Sequence, residues 1–308
     1  MQLRAAGSRD RLPTIRKEGF DIASPLHRVR HCRKPVVRLR DRPDLFALAK
    51  QRGNVVLAIA IPGLTLHTEQ AGQGAPLLLI PGALGTGAGD FPGQLGWFAA
   101  RGFEVVAPDP RGYGRSRPPE RDYPLDFYQR DAEDLFALMS ALGHQRFSVL
   151  GWSDGANVAA IMAAERPERV EKLVLFGGQS YLTAEEIAAF DAIRKISAWS
   201  PRAAEAMRAV YGEGLDALWD RYVDGQVALF EAGGNLYRDR LGAIRCPVFV
   251  LHGAHDPLVP AFHADVIHHG IAGSRLHIFP EGKHNIHIRY ADEFNAMVHA
   301  FLTEPGRS

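Results

Sequence analysis

The sequence predicts an α/β protein in which helices flank a mostly parallel sheet. Three observations carry this prediction. Short, uninterrupted apolar runs such as residues 77–80 are typical of strands that are buried on both faces. Stretches in which apolar residues recur at helical spacing, such as 125–142, separate these runs. Residues 151–155 read Gly-Trp-Ser-Asp-Gly between an apolar run and an alanine-rich stretch, which predicts a sharp strand-to-helix turn.

The elements follow one another in a regular order. Residues 55–61 and 64–69 predict a β-hairpin around Pro62-Gly63. The helix predicted at 125–142 ends at Gly143, a residue typical of helix C-termini. The other strands are predicted at residues 77–80, 104–107, 147–150, 172–176, 247–251 and 276–279, and the other helices at 91–100, 156–165 and 290–302.

The alternation of strands and helices stops after Gly178. Residues 179–241, called the cap segment below, are helical in composition and contain no buried-strand run. Their aromatic residues, Trp219 and Tyr222 among them, are expected to pack the segment together. We expect a helical cap, or lid, inserted over a core made of residues 53–178 and 242–308.

The first 52 residues differ from the rest in charge. Residues 1–52 carry eleven arginines and three lysines against five acidic residues, without sustained periodicity. A transit peptide would contain more serine and almost no acidic residues. We expect a disordered extension or a misassigned start codon, with order beginning at Asn54.

The composition is that of a globular protein, with 308 residues of which 46% are hydrophobic and 23% charged. A formal net charge of +1 gives no reason to expect nucleic acid or an anionic membrane as a partner. No stretch approaches the roughly 20 apolar residues that span a bilayer, and the N-terminus lacks the apolar core of a signal peptide. We expect a cytoplasmic monomer that acts on a small molecule and binds neither nucleic acid nor membranes.

The cysteine and histidine spacings do not indicate a metal site. Cys32 and Cys246 lie far apart and form no C-x-x-C pair. Eight histidines lie within residues 252–287, but none of them forms an H-E-x-x-H pattern. One face of a surface helix is expected to carry three of them, His263, His268 and His269. We therefore expect neither a metal nor an organic cofactor.

A serine, an acid and a histidine follow one another along the chain, each just after a predicted strand. Ser153 stands in the strand-to-helix turn, Asp256 follows strand 247–251, and His284 follows strand 276–279. A serine hydroxyl is a poor nucleophile until a base accepts its proton, and the base needs a carboxylate that fixes its tautomer. The order and placement predict a catalytic triad of these three residues. His287 is the rival base, although it lies where the last helix should begin.

The tetrahedral intermediate of acyl transfer carries a negative oxygen that needs backbone donors. One donor is expected to be the N–H of Asp154, the residue after the nucleophile. The second is expected from the loop after strand 77–80, from either Ala83 or Leu84. Residues 85–89 of that loop read Gly-Thr-Gly-Ala-Gly, but an aspartate follows where a dinucleotide-binding fingerprint needs its third glycine.

Asp154 also carries a charge in an unexpected place. A carboxylate in the first turn of a helix is stabilised by the helix dipole. A carboxylate about 5 Å from the developing oxyanion, however, repels it by roughly 3 kcal/mol at an effective dielectric near 20. A positive group on the substrate would offset this repulsion. We therefore expect a cationic group, most simply an α-amine, beside the acyl carbon, with a purely structural role at the helix start as the alternative.

With these residues assembled, the chain resembles the α/β-hydrolase superfamily and, within it, the biphenyl hydrolase-like proteins, also called valacyclovir hydrolases. The resemblance runs from about residue 65 to residue 302 and is dense at residues 109–114, 151–155, 252–253, 256–260 and 281–285. It implies the α/β-hydrolase fold and hydrolysis of α-amino acid esters, with the triad named above and Asp154 meeting the substrate amine. It further implies an acyl pocket lined by Ala189, Ala192, Ile193 and Leu258.

Other functions remain open on the sequence. The same triad would serve a general esterase, a carbon–carbon bond hydrolase or a perhydrolase, although an anionic Asp154 disfavours acidic substrates. A receptor that keeps the fold and binds a small molecule without turnover is the alternative from another class, and an intact triad argues against it.

Overall fold

The structure, a computed structural model, describes residues 54–305. Its centre is an eight-stranded sheet in the order β1-β2-β4-β3-β5-β6-β7-β8. The first three strands of this order pair antiparallel, and all further pairs are parallel. The strands are β1 (Val55–Ile61), β2 (Leu64–Ala71), β3 (Ala75–Ile80), β4 (Phe103–Pro108), β5 (Phe147–Trp152), β6 (Val170–Phe176), β7 (Val248–Gly253) and β8 (Arg275–Phe279).

The helices alternate with the strands, as the sequence predicts. They are α1 (Gly87–Asp90), α2 (Leu95–Ala99), α3 (Phe127–Ala141), α4 (Asp154–Glu165), α5 (Ala184–Ala192), α6 (Pro201–Tyr211), α7 (Leu215–Glu231), α8 (Phe262–Gly270), α9 (Ile286–Arg289) and α10 (Ala291–Thr303). The mostly parallel α/β architecture is therefore confirmed. None of the helices within residues 54–305 is long and apolar enough to cross a membrane.

The sheet is covered on both faces, which explains its uninterrupted apolar strands. In β3, Leu78 and Ile80 pack with α3 and α4 on one face, whereas Leu77 and Leu79 pack with α2 and α10 on the other. Successive side chains of a strand point to opposite faces, so a strand with helices on both sides needs an apolar residue at each position. Helix α4 is buried from Asp154 to Ala164, and its alanines let it lie close to the sheet.

Two local predictions need correction. The helix predicted at 91–100 is confined to Leu95–Ala99, because Pro92-Gly93 forms a turn before it. The stretch 85–89, predicted as a loop, instead contains most of the short helix α1, at whose start the side chain of Thr86 accepts a hydrogen bond from the N–H of Gly89.

The cap segment, residues 179–241, lies in the chain between β6 and β7. It contains α5, α6 and α7, joined by short 3-10 turns, and one isolated bridge between Tyr181 and Asn235. Helix α5 begins with a capping box in which Thr183 and Glu186 satisfy each other's backbone N–H groups. The division into core and lid stays a prediction, and the predicted extension at 1–52 lies outside the described residues.

Candidate active site

The turn between β5 and α4 holds Ser153 in a strained conformation. Its φ is +56° and its ψ is −123°, in a region that residues other than glycine rarely adopt. A Cβ at Gly151 would lie 2.2 Å from the carbonyl oxygen of Gly155, and a Cβ at Gly155 would lie 2.1 Å from that of Ile80. Both glycines are thus required by close backbone packing, and the strained turn exposes the serine beyond the end of the strand.

The structure brings Ser153, Asp256 and His284 together. Nε2 of His284 lies 3.0 Å from Oγ of Ser153, and Nδ1 of His284 lies 2.7 Å from Oδ2 of Asp256. The acid follows β7 and the histidine follows β8, so both stand at the carboxyl edge of the sheet beside the serine. The second oxygen of Asp256 accepts hydrogen bonds from the backbone N–H groups of Leu258 and Val259 at 2.9 and 3.1 Å, which hold the carboxylate in place.

The electrostatic surroundings of His284 favour its role as a proton acceptor. Burial alone would raise the pKa of the Asp256 carboxyl, but the charge and hydrogen bond of His284 lower it below its ordinary value. Burial alone would lower the pKa of His284, but the carboxylate of Asp256, with smaller contributions from Asp154 and Asp90, raises it. Asp256 therefore stays ionised, and His284 binds a proton more readily than free imidazole does.

The rival base is engaged elsewhere. His287 is buried in α9, and its Nε2 donates a 2.8 Å hydrogen bond to the backbone oxygen of Asp90. Burial lowers the pKa of His287 to about 3, so the ring stays neutral. Its ring contacts the ring of Trp152, which also contacts the ring of His284.

The prediction for His263 is wrong. Helix α8 forms as expected, but His263 is fully buried, and its Nε2 contacts Oε1 of Glu186 from cap helix α5. Its surface position was inferred from the helix alone, whereas its burial depends on a segment 77 residues earlier in the chain. Within residues 54–305, no group of three or more His, Cys, Asp or Glu side chains is arranged to hold a metal ion.

The loop after β3 lies against the nucleophile. A Cβ at Gly82 would lie 3.1 Å from Cβ of Ser153, and the two predicted donor residues, Ala83 and Leu84, come next in the chain. Ala83 is half-buried and Leu84 is buried, with φ +58° at Leu84. The backbone N–H of Asp154 stands at the start of α4, on the other side of Ser153 in sequence. The assignment of these groups as oxyanion donors stays a prediction.

The Asp154 side chain is buried and hydrogen-bonded. Its Oδ1 accepts from the hydroxyl of Tyr128 at 2.6 Å and from the hydroxyl of Tyr222 at 3.1 Å. Tyr128 in turn accepts from the side-chain amide of Gln226 at 3.0 Å. Burial raises the pKa of Asp154 to about 6, against the two tyrosine hydrogen bonds and the nearby Arg121, which lower it. Asp154 is therefore ionised at neutral pH.

Sequence reasoning missed the tyrosines that hold Asp154. Tyr222 was expected only to pack the cap segment, and no role was predicted for Tyr128 of α3. A tyrosine on the apolar face of a helix is a usable signal, because phenylalanine would pack as well and a buried hydroxyl needs a partner. The signal does not say which partner the hydroxyl finds.

The four residues predicted to line an acyl pocket lie in two places. Ala189 and Ala192 are in α5, and Ile193 caps that helix. Leu258 is in the loop that holds Asp256. Ala192 is exposed and the other three are half-buried. Their contact with a substrate stays a prediction.

A doubly covered, mostly parallel sheet with its strained serine after β5, its acid after β7 and its histidine after β8 defines an α/β hydrolase. The family model for the alpha/beta hydrolase fold matches residues 75–219. Serine hydrolase BPHL of Homo sapiens is 47% identical over 248 residues, which cover 79% of this chain and 85% of that protein. The same protein of Mus musculus is 46% identical over the same shares. The chain belongs to the α/β-hydrolase family, and these relatives support a serine hydrolase.

Solved structures agree on the fold. The 2-hydroxy-6-oxo-6-phenylhexa-2,4-dienoate hydrolase of Rhodococcus sp. strain RHA1 superimposes with a TM-score of 0.71, covering 82% of this chain and 100% of that one. The two are 21% identical in sequence, so the likeness concerns the fold alone.

Proposed function

We propose that this protein is a serine esterase that hydrolyses small α-amino acid esters through an acyl-enzyme intermediate. Oγ of Ser153 attacks the ester carbonyl while Nε2 of His284 accepts its proton, and His284 then gives that proton to the leaving alcohol. Water attacks the acyl-enzyme in the second half of the reaction, with His284 again as the base. Asp256 holds the imidazole in the tautomer that these steps require and stabilises the imidazolium.

The developing oxyanion is bound by backbone N–H groups. Asp154 provides one from the start of α4, and Ala83 or Leu84 provides the other. The position of the β3 loop against Ser153 supports this assignment, because an oxyanion donor must stand beside the attacked carbonyl.

We infer the substrate class from the buried carboxylate of Asp154. Both tyrosine hydroxyls donate to Oδ1, so neither of them occupies Oδ2, which can meet an incoming group. A fixed negative charge beside the oxyanion opposes catalysis on a neutral ester. An α-ammonium on the substrate would pair with the carboxylate and offset that repulsion, so an amino acid ester would be hydrolysed faster than a neutral ester.

The acyl side chain is proposed to lie between the end of α5 and the loop after β7. Ala189, Ala192 and Ile193 would bound it on one side and Leu258 on the other. Small alanines leave room for side chains of different size, so the acyl preference is expected to be broad among small apolar groups.

The experiment that tests the proposal compares aryl esters of valine and isovalerate, which differ only in the α-amine. The wild type should show a kcat/KM for the valine ester roughly 100-fold above that for the isovalerate ester, the equivalent of about 3 kcal/mol. Asp154→Asn should remove most of this ratio, and Ser153→Ala should abolish both activities. Asp126→Asn, a matched change at an exposed position without a capping hydrogen bond, should leave both rates unchanged.

Other outcomes would select other functions. Equal rates on the two esters would indicate a general esterase and refute the role of Asp154. Turnover of a dienoate, the substrate class in the name of the Rhodococcus relative, would indicate carbon–carbon bond hydrolysis, which the charge of Asp154 disfavours. Binding of esters without turnover would indicate a receptor.

A further inference from the structure

The loop between β3 and α1, which carries the proposed oxyanion donors, is anchored by core side chains at both ends. Near its start, the N–H of Gly82 donates to the buried carboxyl of Asp90 at 3.0 Å. At its end, the N–H of Gly87 donates to the carboxyl of Asp109 at 3.1 Å. The conformation of the residues between these two anchors depends on further contacts.

Leu84, in the middle of this loop, has an unfavourable backbone conformation. Its φ of +58° lies in the left-handed region. A residue with a Cβ adopts this conformation only when its surroundings compensate for the steric strain. Leu84 and Ser153 are the two non-glycine residues with positive φ among residues 54–305. Both belong to the segments proposed to donate to the oxyanion.

A hydroxyl from the cap segment stabilises this conformation. Tyr211, the last residue of α6, donates a 2.7 Å hydrogen bond to the backbone oxygen of Leu84. The same hydroxyl accepts a 3.1 Å hydrogen bond from the N–H of Gly114, in the turn after β4. The ring is buried, and the guanidinium of Arg117 lies 4.9 Å from its centre. One oxygen atom thus joins the cap segment, the β3 loop and the β4 turn.

We propose that Tyr211 is a positioning residue for the oxyanion hole, through which the docking of cap helix α6 sets the conformation of Leu84. Fixing the carbonyl of Leu84 restricts rotation at this residue and therefore the direction of its own N–H and of the neighbouring peptide. The proposal rests on the proposed ester hydrolysis at Ser153, and on neither the α-amine nor the side chain of Asp154. Burial raises the pKa of Tyr211, so its hydroxyl keeps its proton and remains a donor.

The expected kinetic effect of losing the Tyr211 hydroxyl depends on the stage of the reaction at which the oxyanion exists. An oxyanion donor acts on the transition state and scarcely on the bound ester, so its loss lowers kcat with little change in KM. Removing such a donor costs about 100- to 1,000-fold in kcat. Because Tyr211 acts through Leu84, Tyr211→Phe should cost about 10- to 100-fold. The loss should be the same for the valine and the isovalerate esters, since Asp154 is untouched.

The matched control is Tyr237→Phe. Tyr237 is also a fully buried tyrosine of the cap segment, and its hydroxyl has no hydrogen-bond partner within the described part of the chain. The same one-atom deletion there should leave kcat and KM at the wild-type values. Urea denaturation of both variants establishes that each is folded under the assay conditions.

A probe that needs no turnover completes the test. n-Butylboronic acid forms a B–O bond with Oγ of Ser153 while the serine proton passes to His284, and the resulting tetrahedral boronate places an oxygen where the oxyanion forms. Its affinity, measured by tryptophan fluorescence, should weaken about 10- to 100-fold in Tyr211→Phe and stay unchanged in Tyr237→Phe.

The outcomes separate this inference from the proposed function. Wild-type kcat and boronate affinity in Tyr211→Phe would overturn it, as would a loss confined to KM or to the valine ester. Absence of ester hydrolysis by the wild-type protein would instead refute the proposed function and remove the reaction that Tyr211 is inferred to support.

Discussion

Replacement of Tyr222 by phenylalanine should move the pH range in which the protein prefers amino acid esters. The hydroxyl of Tyr222 donates to Oδ1 of Asp154 at 3.1 Å, and this bond favours the ionised carboxylate. Burial already raises the pKa of Asp154 to about 6. Loss of one donor that opposes this rise should therefore raise the pKa further. The other titratable or charged groups that act on Asp154 or are acted on by it are Tyr128, Arg121, Asp131, Tyr113, Tyr123 and His284.

The size of the shift follows from the strength of the bond. A hydrogen bond to a charged group contributes about 1.5 to 3 kcal/mol, and one pKa unit corresponds to about 1.4 kcal/mol. Since this bond is longer than the 2.6 Å bond from Tyr128, we take the lower end and expect the pKa of Asp154 to rise by about one unit. The ionised fraction at pH 6 then falls about fivefold, whereas at pH 7.5 it falls by less than a factor of 1.5.

The assay is the ratio of kcat/KM for the valine ester to that for the isovalerate ester, measured across pH. Both reactions need neutral His284, so its titration cancels in the ratio. The ratio should rise with pH as Asp154 ionises and fall again as the substrate α-ammonium loses its proton. Tyr222→Phe should move the acidic limb by about one pH unit towards higher pH and leave the alkaline limb in place.

Two results would refute this reasoning. A ratio that falls by one factor at every pH would mean that the substitution damages the pocket and does not alter the charge of Asp154. An acidic limb that stays in place would mean that the hydroxyl has no influence on the carboxylate. Asp154→Asn serves as the reference, because it should flatten the ratio across the whole range.

Three further predictions concern the supports of the site. Asp256→Asn should lower kcat about 10⁴-fold in steady-state assays, because the histidine base loses the partner that fixes its tautomer. Gly155→Ala places a Cβ 2.1 Å from a backbone oxygen and should lower the free energy of unfolding in urea by about 1–3 kcal/mol. The control is Gly96→Ala, where nothing lies within 4 Å of the added Cβ, and it should raise the free energy of unfolding by about 0.5–1 kcal/mol. Glu186→Ala should cost about 3–5 kcal/mol, because it leaves His263 buried without its partner and also removes the capping box of α5. Adding His263→Ala should restore the part that comes from the buried histidine and leave the capping loss.

The sequence predicted the elements that local pattern determines. Apolar runs marked the strands, and the pentapeptide at 151–155 marked the turn between β5 and α4, because its two glycines are dictated by backbone contacts within a few residues of the serine and with the adjacent strand. The acid and the histidine could be placed because each follows a strand of a parallel sheet, and the carboxyl ends of such strands share one edge. The distances between Ser153, His284 and Asp256 agree with that placement.

The contacts that tune the site could not be predicted, because they join residues far apart in the chain. Tyr128 and Tyr222 reach Asp154 across 26 and 68 residues, and Tyr211 reaches Leu84 across 127. Helical spacing shows that such a tyrosine is buried, but the partner of its hydroxyl depends on tertiary packing: of α3 against α4 for Tyr128, and of the cap segment for Tyr222 and Tyr211. The wrong surface placement of His263 has the same cause, since Glu186 of the cap segment covers it.

Apart from Tyr128 of α3, the contacts that tune the site come from a different part of the chain than the triad does. Ser153, His284 and Asp256 stand on the sheet and its adjoining loops, whereas Tyr222 and Tyr211 come from helices of the cap segment. Tyr222 acts on the carboxylate proposed to bind the substrate amine, and Tyr211 acts on the loop proposed to bind the oxyanion. Substitutions in the cap segment can consequently change substrate preference and transition-state stabilisation separately, with the triad geometry intact. This arrangement gives a physical reason why one α/β scaffold with one triad can carry hydrolases of different specificity.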